Sequence, residues 1–469
     1  MTRPLHDNYD VVVIGAGPAG IAAATTAASV GARTLMLDEN AGPGGQVWRS
    51  IAATPVKAPD ILGVDYWVGE THITALRKSG AEIVHRATVW SLDSSLELAI
   101  SVGGGSRFIK GKRVIIATGA QERPFPIPGW TLPGVMTAGA AQTLIKNAGL
   151  VPDGNLVIAG QGPLLWLVSA QILRLGGRID RILDTTPRGN LRATLPKAFP
   201  FLTSPYLVKG LKMMSEVKRQ ACIIKHVTEI EAIGDEQLSS VRYQAGGKSE
   251  ILKADVLLLH QGVVPNVNLA KAAGVRHAWD EVQLCWRPVL DADGQSDIPG
   301  IYIAGDGAGI GGALAALERG RIAALAATKA QGIAISPRDE KQARAALARA
   351  EKGRDFLDLL YKPPEQFRIP QGDTVVCRCE EIRASDVLKA VETGATGPNQ
   401  AKAYLRAGMG PCQGRLCGLT MTELMARARG TTPEKIGYYR LRAPIKPIAL
   451  NELADLPSDE AAFKAVVRE

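Results

Sequence analysis

YDVVVIGAGPAGIAAATTAASVGARTLMLDEN, residues 9–40, decides the fold. It reads as strand, glycine turn, helix and second strand. Val11 to Ile14 is a short run of β-branched apolar residues, the composition of a strand buried on both faces of a parallel sheet. Gly15, Gly17 and Gly20 form G-x-G-x-x-G around Pro18 and Ala19. The first glycine permits the tight turn, the second lets backbone approach a pyrophosphate, and the third lets the helix pack on the strand. The Ala-rich helix then aims its first N–H groups at the phosphates. Asp38 lies 18 residues beyond Gly20, where an acid accepts from a ribose hydroxyl, with Glu39 the second candidate. The competing reading is a glycine-rich turn within an ordinary α/β sheet. Strand, helix and acid falling together favour a dinucleotide.

Three later segments say which dinucleotide. AGPGGQVWR (41–49) follows the second strand at once and offers Gly45, Gln46 and Arg49. VIIATGAQERP (114–124) puts Ala117, Thr118 and Gly119 at a strand end. IPGIYIAGDGAG (298–309) closes a late strand with Gly305 and Asp306. In this order they resemble the two-dinucleotide flavoprotein superfamily that includes thioredoxin and glutathione reductases. The resemblance implies FAD, contacted by the residues just named together with Val89. It further implies that Asp306 accepts from ribityl hydroxyls, and that a helix from about Gly311 turns its positive end to the flavin.

NLVIAGQGPLLWLVSAQILRLGG (155–177) repeats strand, turn and helix with Gly160 and Gly162. Leu165 stands where the third glycine would be, which pushes the helix off the strand or alters the turn. RIDRILDTT (178–186) ends in Asp184, suited to a ribose hydroxyl and unsuited to a 2′-phosphate, and LLLHQGVVPN (257–266) closes the insert. The expected class is therefore α/β: an FAD-binding domain in two parts (1–130 and 266–335) around an inserted NAD(P)-like Rossmann domain (131–265). Three states of that insert stay open: NAD(P)H turnover, an adenine nucleotide held structurally, and no ligand. Disulfide reductases of the superfamily carry a close cysteine pair beside the flavin. Cys222 and Cys285 stand apart, read as small buried hydrophobes, and so disfavour disulfide reduction.

The totals narrow the class further. Hydrophobic residues are 46% and charged residues 22% of 469, ordinary for a soluble globular chain with several cores. No apolar run reaches the roughly 18 residues that span a bilayer, and MTRPLHDNYD has no signal core. Six cysteines over this length fit a reducing cytoplasm. The net charge of +9 is dispersed and aromatics are only 5%, so no basic, aromatic-interleaved stripe for nucleic acid is present.

Four of those six cysteines gather near one end. SPRDEKQARAALARAEK (336–352) suits a solvated helix, and YKPPEQFRIPQGD (361–373) breaks it with three prolines, so 336–368 reads as a linker. Beyond it lie TVVCRCEEI (374–382), a helix beginning near Ala384 or Ser385, and NQAKAYLRAGMGPCQGRLCG (399–418). Here a helix is expected to end near Gly408 and Gly410 and another to begin near Cys412. Cys377 and Cys379, then Cys412 and Cys417, give C-x-C and C-x4-C, four thiolates for one metal centre. This order resembles the bacterioferritin-associated ferredoxin type of [2Fe–2S] domain over about residues 370–425, which places a small helical cluster domain and tail at 369–469. Four-cysteine zinc is the competing reading, but its spacings are more often C-x2-C.

Over nearly its whole length the chain resembles the α-type subunit of flavin-dependent amine dehydrogenase complexes. These include opine oxidases, D-hydroxyproline and proline dehydrogenases, and hydrogen cyanide synthase. DENAGPGGQVWR (38–49), GAQERPFPIPGW (119–130) and GPLLWLVSAQILRLGG (162–177) carry the resemblance. It implies a β subunit, similar to sarcosine oxidase or D-amino acid oxidase, that oxidises the C–N bond on its own flavin. It also implies a small γ subunit, FMN between subunits in some complexes, and a respiratory-chain acceptor at the inner membrane. This chain would then relay electrons. No His–Asp or paired-carboxylate constellation for proton abstraction stands out, and His260 reads as structural. The alternative is a self-sufficient NAD(P)H-dependent FAD/[2Fe–2S] reductase, against which Leu165 and Asp184 count. A zinc-stabilised flavoprotein scaffold is the third reading.

Overall fold

The strand Asn8–Ile14 lies between Thr34–Asp38 and Gly105–Ile116, parallel to both. Its Val11, Val12 and Val13 are fully buried, as a strand covered on both faces requires. Glu82–His85 extends the sheet beyond Thr34–Asp38, and the late strand Ile301–Ile303 returns to pair with Gly105–Ile116. Glu97–Val102 and Thr88–Leu92 continue it in antiparallel fashion. This computed structural model describes residues 5–454 and 456; the first residues of the N-terminal stretch and the end of the C-terminal tail, 457–469, lie outside them.

Two helices cover one face of this sheet, Pro18–Ser29 and Ala313–Lys329. They meet backbone to backbone: a Cβ on Gly320 would lie 2.1 Å from Ala19 O. The late helix begins at Ala313, two residues past Gly311, because Gly311 and Gly312 N–H groups are taken by Asp306 Oδ1, both at 2.9 Å.

A second sheet is wholly parallel, in the order Cys222–Lys225, Arg181–Asp184, Leu156–Gln161, Val256–Gln261, Val135–Thr137. Ala138–Ala148, Pro163–Arg174 and Pro205–Lys218 are its principal helices, and an antiparallel triplet runs from Val227 to Lys253. The antiparallel ribbon of Ala120–Glu122 with Val263–Pro265 marks where the chain leaves and re-enters the first sheet's surroundings. Leu165 is fully buried in the core. Cys285 is buried, but Cys222 is exposed, because it opens the edge strand of the second sheet.

The last unit has its own core around Val376, Val387, Met421 and Met425. Its helices are Ala384–Glu392, Pro398–Leu405 and Gly418–Ala428. The helix expected from Cys412 begins instead at Gly418. Gln413 (φ 50°) and Gly414 (φ 74°) are both left-handed, and a right-handed helix cannot run through them. The linker is not loose. Pro337–Glu351 buries Ala343 and Ala350, and Phe367 packs edge-on against Phe125 with ring centroids 5.2 Å apart. Among the described residues no helix is long and apolar enough to cross a membrane.

Candidate functional site

A cavity of 1440 Å³ runs along the ends of the first sheet's strands. Gly15, Gly17, Pro18, Ala19, Asp38, Glu39, Gly45, Gln46, Val89, Ala117, Thr118, Gly119, Gly305 and Asp306 all line it. Gly20 and Arg49 do not. A Cβ on Gly20 would sit 1.8 Å from Gly15 O, so its bareness serves the packing of helix on turn. Gly17 is different. A Cβ there meets only Gly45 Cα at 3.9 Å, so its missing side chain leaves room on the cavity side. The helix Pro18–Ser29 starts at that turn with no acidic residue in its first turn, which suits an anion.

Asp38 is buried, with Oδ2 accepting from Ala16 N at 2.5 Å and Oδ1 from Asn40 N at 2.7 Å. Oδ1 also accepts from Asn40 Nδ2 at 2.9 Å, so Oδ2 is the oxygen that keeps capacity for a second donor such as a ribose hydroxyl. Glu39 is committed elsewhere, to an ion pair with Lys446. Asp306 spends one oxygen on the two glycine N–H groups and leaves the other without a donor among the described residues. These features fit an extended dinucleotide with its pyrophosphate on the glycine turn.

Sequence reasoning missed Lys146. It is buried, lines the cavity, and donates to Gln46 O (2.8 Å), Val47 O (3.0 Å) and Gln142 Oε1 (3.0 Å). Burial, with the Arg49 charge nearby, brings its amine down to about 7. Nothing in the local sequence of an amphipathic helix marks one lysine as turned inward. A His–carboxylate pair was also missed. His260 Nδ1 lies 2.7 Å from Glu122 Oε1, across 138 residues. Glu122 reaches the cavity, but His260 is 2% exposed and is not part of its wall, which fits a structural imidazole.

The four clustered cysteines come together in two pairs. Cys417 and the backbone of Gly408, Glu380 and Cys379 neighbour the Cys377 sulfur and favour its thiolate. Together they hold the Cys377 thiol down to about 6. Cys417 is pushed up by its pairing with Cys377 and by burial, and Cys379, beside Cys412, is pushed up by burial. Among the described residues no three thiols, imidazoles or carboxylates converge on a point able to hold a single ion. Two thiol pairs fit a centre with two metal atoms, two sulfurs to each, better than one tetrahedral zinc. Tyr438 and Tyr439 close the back of the loop: Tyr439 Oη is 3.7 Å from Cys417 Sγ, and Tyr438 donates to Gly414 O at 3.2 Å.

The cysteine loops abut the cavity. Arg378, Arg415 and Leu416, which sit between the ligating positions, line its wall. Gln121, two residues past Gly119, donates to Arg415 O at 2.5 Å, and Asn268 to Gln413 O at 2.9 Å. Trp130 Nε1 donates to Val375 O at 2.7 Å, and the Arg378 guanidinium lies over the Trp130 ring. The second glycine turn is outside the cavity: neither Gly160 and Gly162 nor Asp184 lines it.

Residues 9–332 match the pyridine nucleotide-disulphide oxidoreductase family, and residues 375–427 the BFD-like [2Fe-2S] binding domain. The opine oxidase A-subunit of Rhizobium meliloti is 45% identical, over 98% of this chain and 90% of the relative. Hydrogen cyanide synthase subunit HcnB of Pseudomonas aeruginosa (strain PAO1) is 32% identical, over 96% of this chain and 100% of the relative. Among solved structures, L-proline dehydrogenase from P. horikoshii shares the fold, with a TM-score of 0.70 over 95% of this chain and 79% of that one, at 21% identity.

Proposed function

The chain belongs to the opine oxidase A-subunit family, and we propose that it is the electron-relaying subunit of a heteromeric flavin-dependent dehydrogenase acting on an opine or proline-type amine. FAD binds along the first glycine turn, with Asp38 on the ribose and Asp306 on the ribityl chain. Cys377, Cys379, Cys412 and Cys417 hold a [2Fe–2S] centre. Bound there, a flavin takes electrons in pairs and gives them up singly, and the cluster carries one at a time. The observation that carries the reading is the seating of the cysteine loop on the cavity wall beside Ala117–Gly119, through Arg415 and Leu416. That contact brings cluster ligands against the segment that faces the flavin, with no third domain between them.

C–N oxidation belongs to a partner subunit. The buried His260–Glu122 pair is the base–carboxylate couple that this reading has to account for, and its imidazole is closed off from the cavity. A surface for the partner is available at the cavity mouth. Between Arg188 and Arg219, Leu191, Leu195, Phe199, Leu202, Val208 and Leu211 are each at least 60% exposed. Lys209 and Lys212 of the same stretch line the cavity. The stretch carries seven basic residues (Arg188, Arg192, Lys197, Lys209, Lys212, Lys218, Arg219) against one acid, Glu216. An apolar face with a basic rim calls for a partner with an apolar centre and acidic edge. Where complexes of this kind hold FMN between subunits, Arg378 and Arg415 are the cations that line this cavity beside the cluster and can meet its phosphate.

The test is to purify the chain alone and co-expressed with its amine-oxidising partner, then add amine under anaerobic conditions. The chain alone should contain FAD and about two iron and two acid-labile sulfide, and amine should leave its spectrum unchanged. In the complex, amine should bleach the cluster absorption along with the flavin. Zinc in place of iron, or bleaching of the isolated chain by amine, would overturn the reading.

A further inference from the structure

The second glycine turn faces the chain's own linker. In a dinucleotide fold the pyrophosphate lies over the glycine turn at a helix N-terminus, and an acid at the end of the next strand takes the ribose. Those markers are here Gly160–Gly162, the helix Pro163–Arg174, and Asp184. The segment that follows the short helix Arg354–Leu360 runs across all three. Gln161, the middle of the turn, donates from Nε2 to Tyr361 O at 2.9 Å. Asn190, six residues past Asp184, donates from Nδ2 to Leu360 O at 2.9 Å and to Lys362 O at 3.0 Å. The Tyr361 ring turns inward. Burial, with the Asp184 carboxylate nearby, pushes its phenol up to about 12.

We propose that Tyr361 closes the second nucleotide site and is the residue that excludes NADH and NADPH as electron donors to this chain. The linker backbone fixes Tyr361 at the turn, and its ring stands beside the acid that a nicotinamide dinucleotide needs together with that turn, so entry requires the ring to leave. The linker is held from its other side. Lys362 Nζ donates to Glu281 O at 2.7 Å, and Gln283 Nε2 to Asp358 Oδ2 at 2.9 Å, both from the loop between strands His277–Asp280 and Cys285–Pro288. The strap thus ties the inserted sheet to the part of the chain that follows it. The strand–turn–helix unit around Gly160 persists as scaffold while its ligand crevice is filled in cis. This goes beyond the electron-relay reading and does not depend on it, since no cluster residue takes part.

The full-length, FAD-loaded protein is titrated with NADH and separately with NADPH, and tryptophan emission is followed, Trp166 lying in the first turn of the helix Pro163–Arg174. The unaltered protein and Tyr361→Phe, which keeps the ring, should show no saturable quenching up to about 1 mM. Tyr361→Ala should bind NADH saturably and at least tenfold more tightly, and adding Asp184→Ala should remove that gain, which locates it. Circular dichroism and the FAD content report whether each variant is folded. Saturable NADH binding by the unaltered protein would overturn the proposal. So would a folded, FAD-replete Tyr361→Ala protein that binds no better. Iron content, which tests the relay reading, is not read by this titration.

Discussion

Lys146 sits where charge is expensive. Its stem is buried and its amine is packed among two backbone carbonyls of the Gln46–Val47 turn and the Gln142 amide. Burial, ahead of repulsion from Arg49, lowers it to about 7 from an ordinary 10.5. The sign follows. Between about pH 7 and about pH 10 the unfolded chain binds a proton here that the native chain does not, so native stability rises with pH across that window. Below it both states are charged and the penalty is constant. Lys146→Met removes the titration. The denaturation free energy of the unaltered protein minus that of Lys146→Met should therefore rise with pH, by at most about 1.4 kcal/mol per unit. A difference that stays flat from pH 7 to pH 9 would mean that the three acceptors hold the amine charged.

The helical excursion between Arg181–Asp184 and Cys222–Lys225 is a different case, an element whose composition contradicts its exposure. Leu195 is 70% and Phe199 79% exposed, although either would gain about 2 kcal/mol from burial. Leu195→Asp with Phe199→Asp should leave FAD, iron and thermal unfolding as they are, while the partner fails to co-purify. Loss of the cofactors would show the face to be core instead. Such faces are not legible in a sequence, because an apolar helix reads the same whether it covers its own chain or another. The strand–turn–helix of residues 9–40 was legible, since each glycine has a local reason and the acid a fixed distance. The cysteine spacing was legible too. The start of the helix after it was not, because the left-handed pair Gln413 and Gly414 is set by the tyrosines packed behind the loop: a Cβ on Gly414 would lie 2.6 Å from the Tyr439 ring. The His260–Glu122 pair and the Tyr361 plug escaped for a related reason. Each joins residues more than 130 positions apart, and neither partner is unusual in its own neighbourhood.

The three units of the molecule are interlocked rather than strung in series, and the chain's last described stretch makes this plainest. After Tyr438 and Tyr439 seal the cysteine loop, the backbone returns to the first sheet, where Ile445 N donates to Trp90 O at 3.0 Å. The Ile445 side chain is buried in the core with Ile14, Leu37 and Val89. Lys446 pairs with Glu39, next to Asp38, and both Ile445 and Lys446 line the cavity at that end. A segment that leaves the cluster unit therefore completes the cavity wall beside Asp38 and Glu39. Cofactor retention in one unit then depends on chain delivered by another. Ile445→Asp places a carboxylate in that apolar seat and should detach the segment. The expected result is FAD held at least tenfold more weakly, read as flavin lost on gel filtration, with iron and acid-labile sulfide per chain unchanged because the cysteine loop and its tyrosines lie upstream of the change. If flavin retention is unaffected, the return segment is only a surface strap. If iron is lost together with flavin, the segment supports the cluster unit itself, and the Asp38 end of the cavity is closed by the first sheet alone.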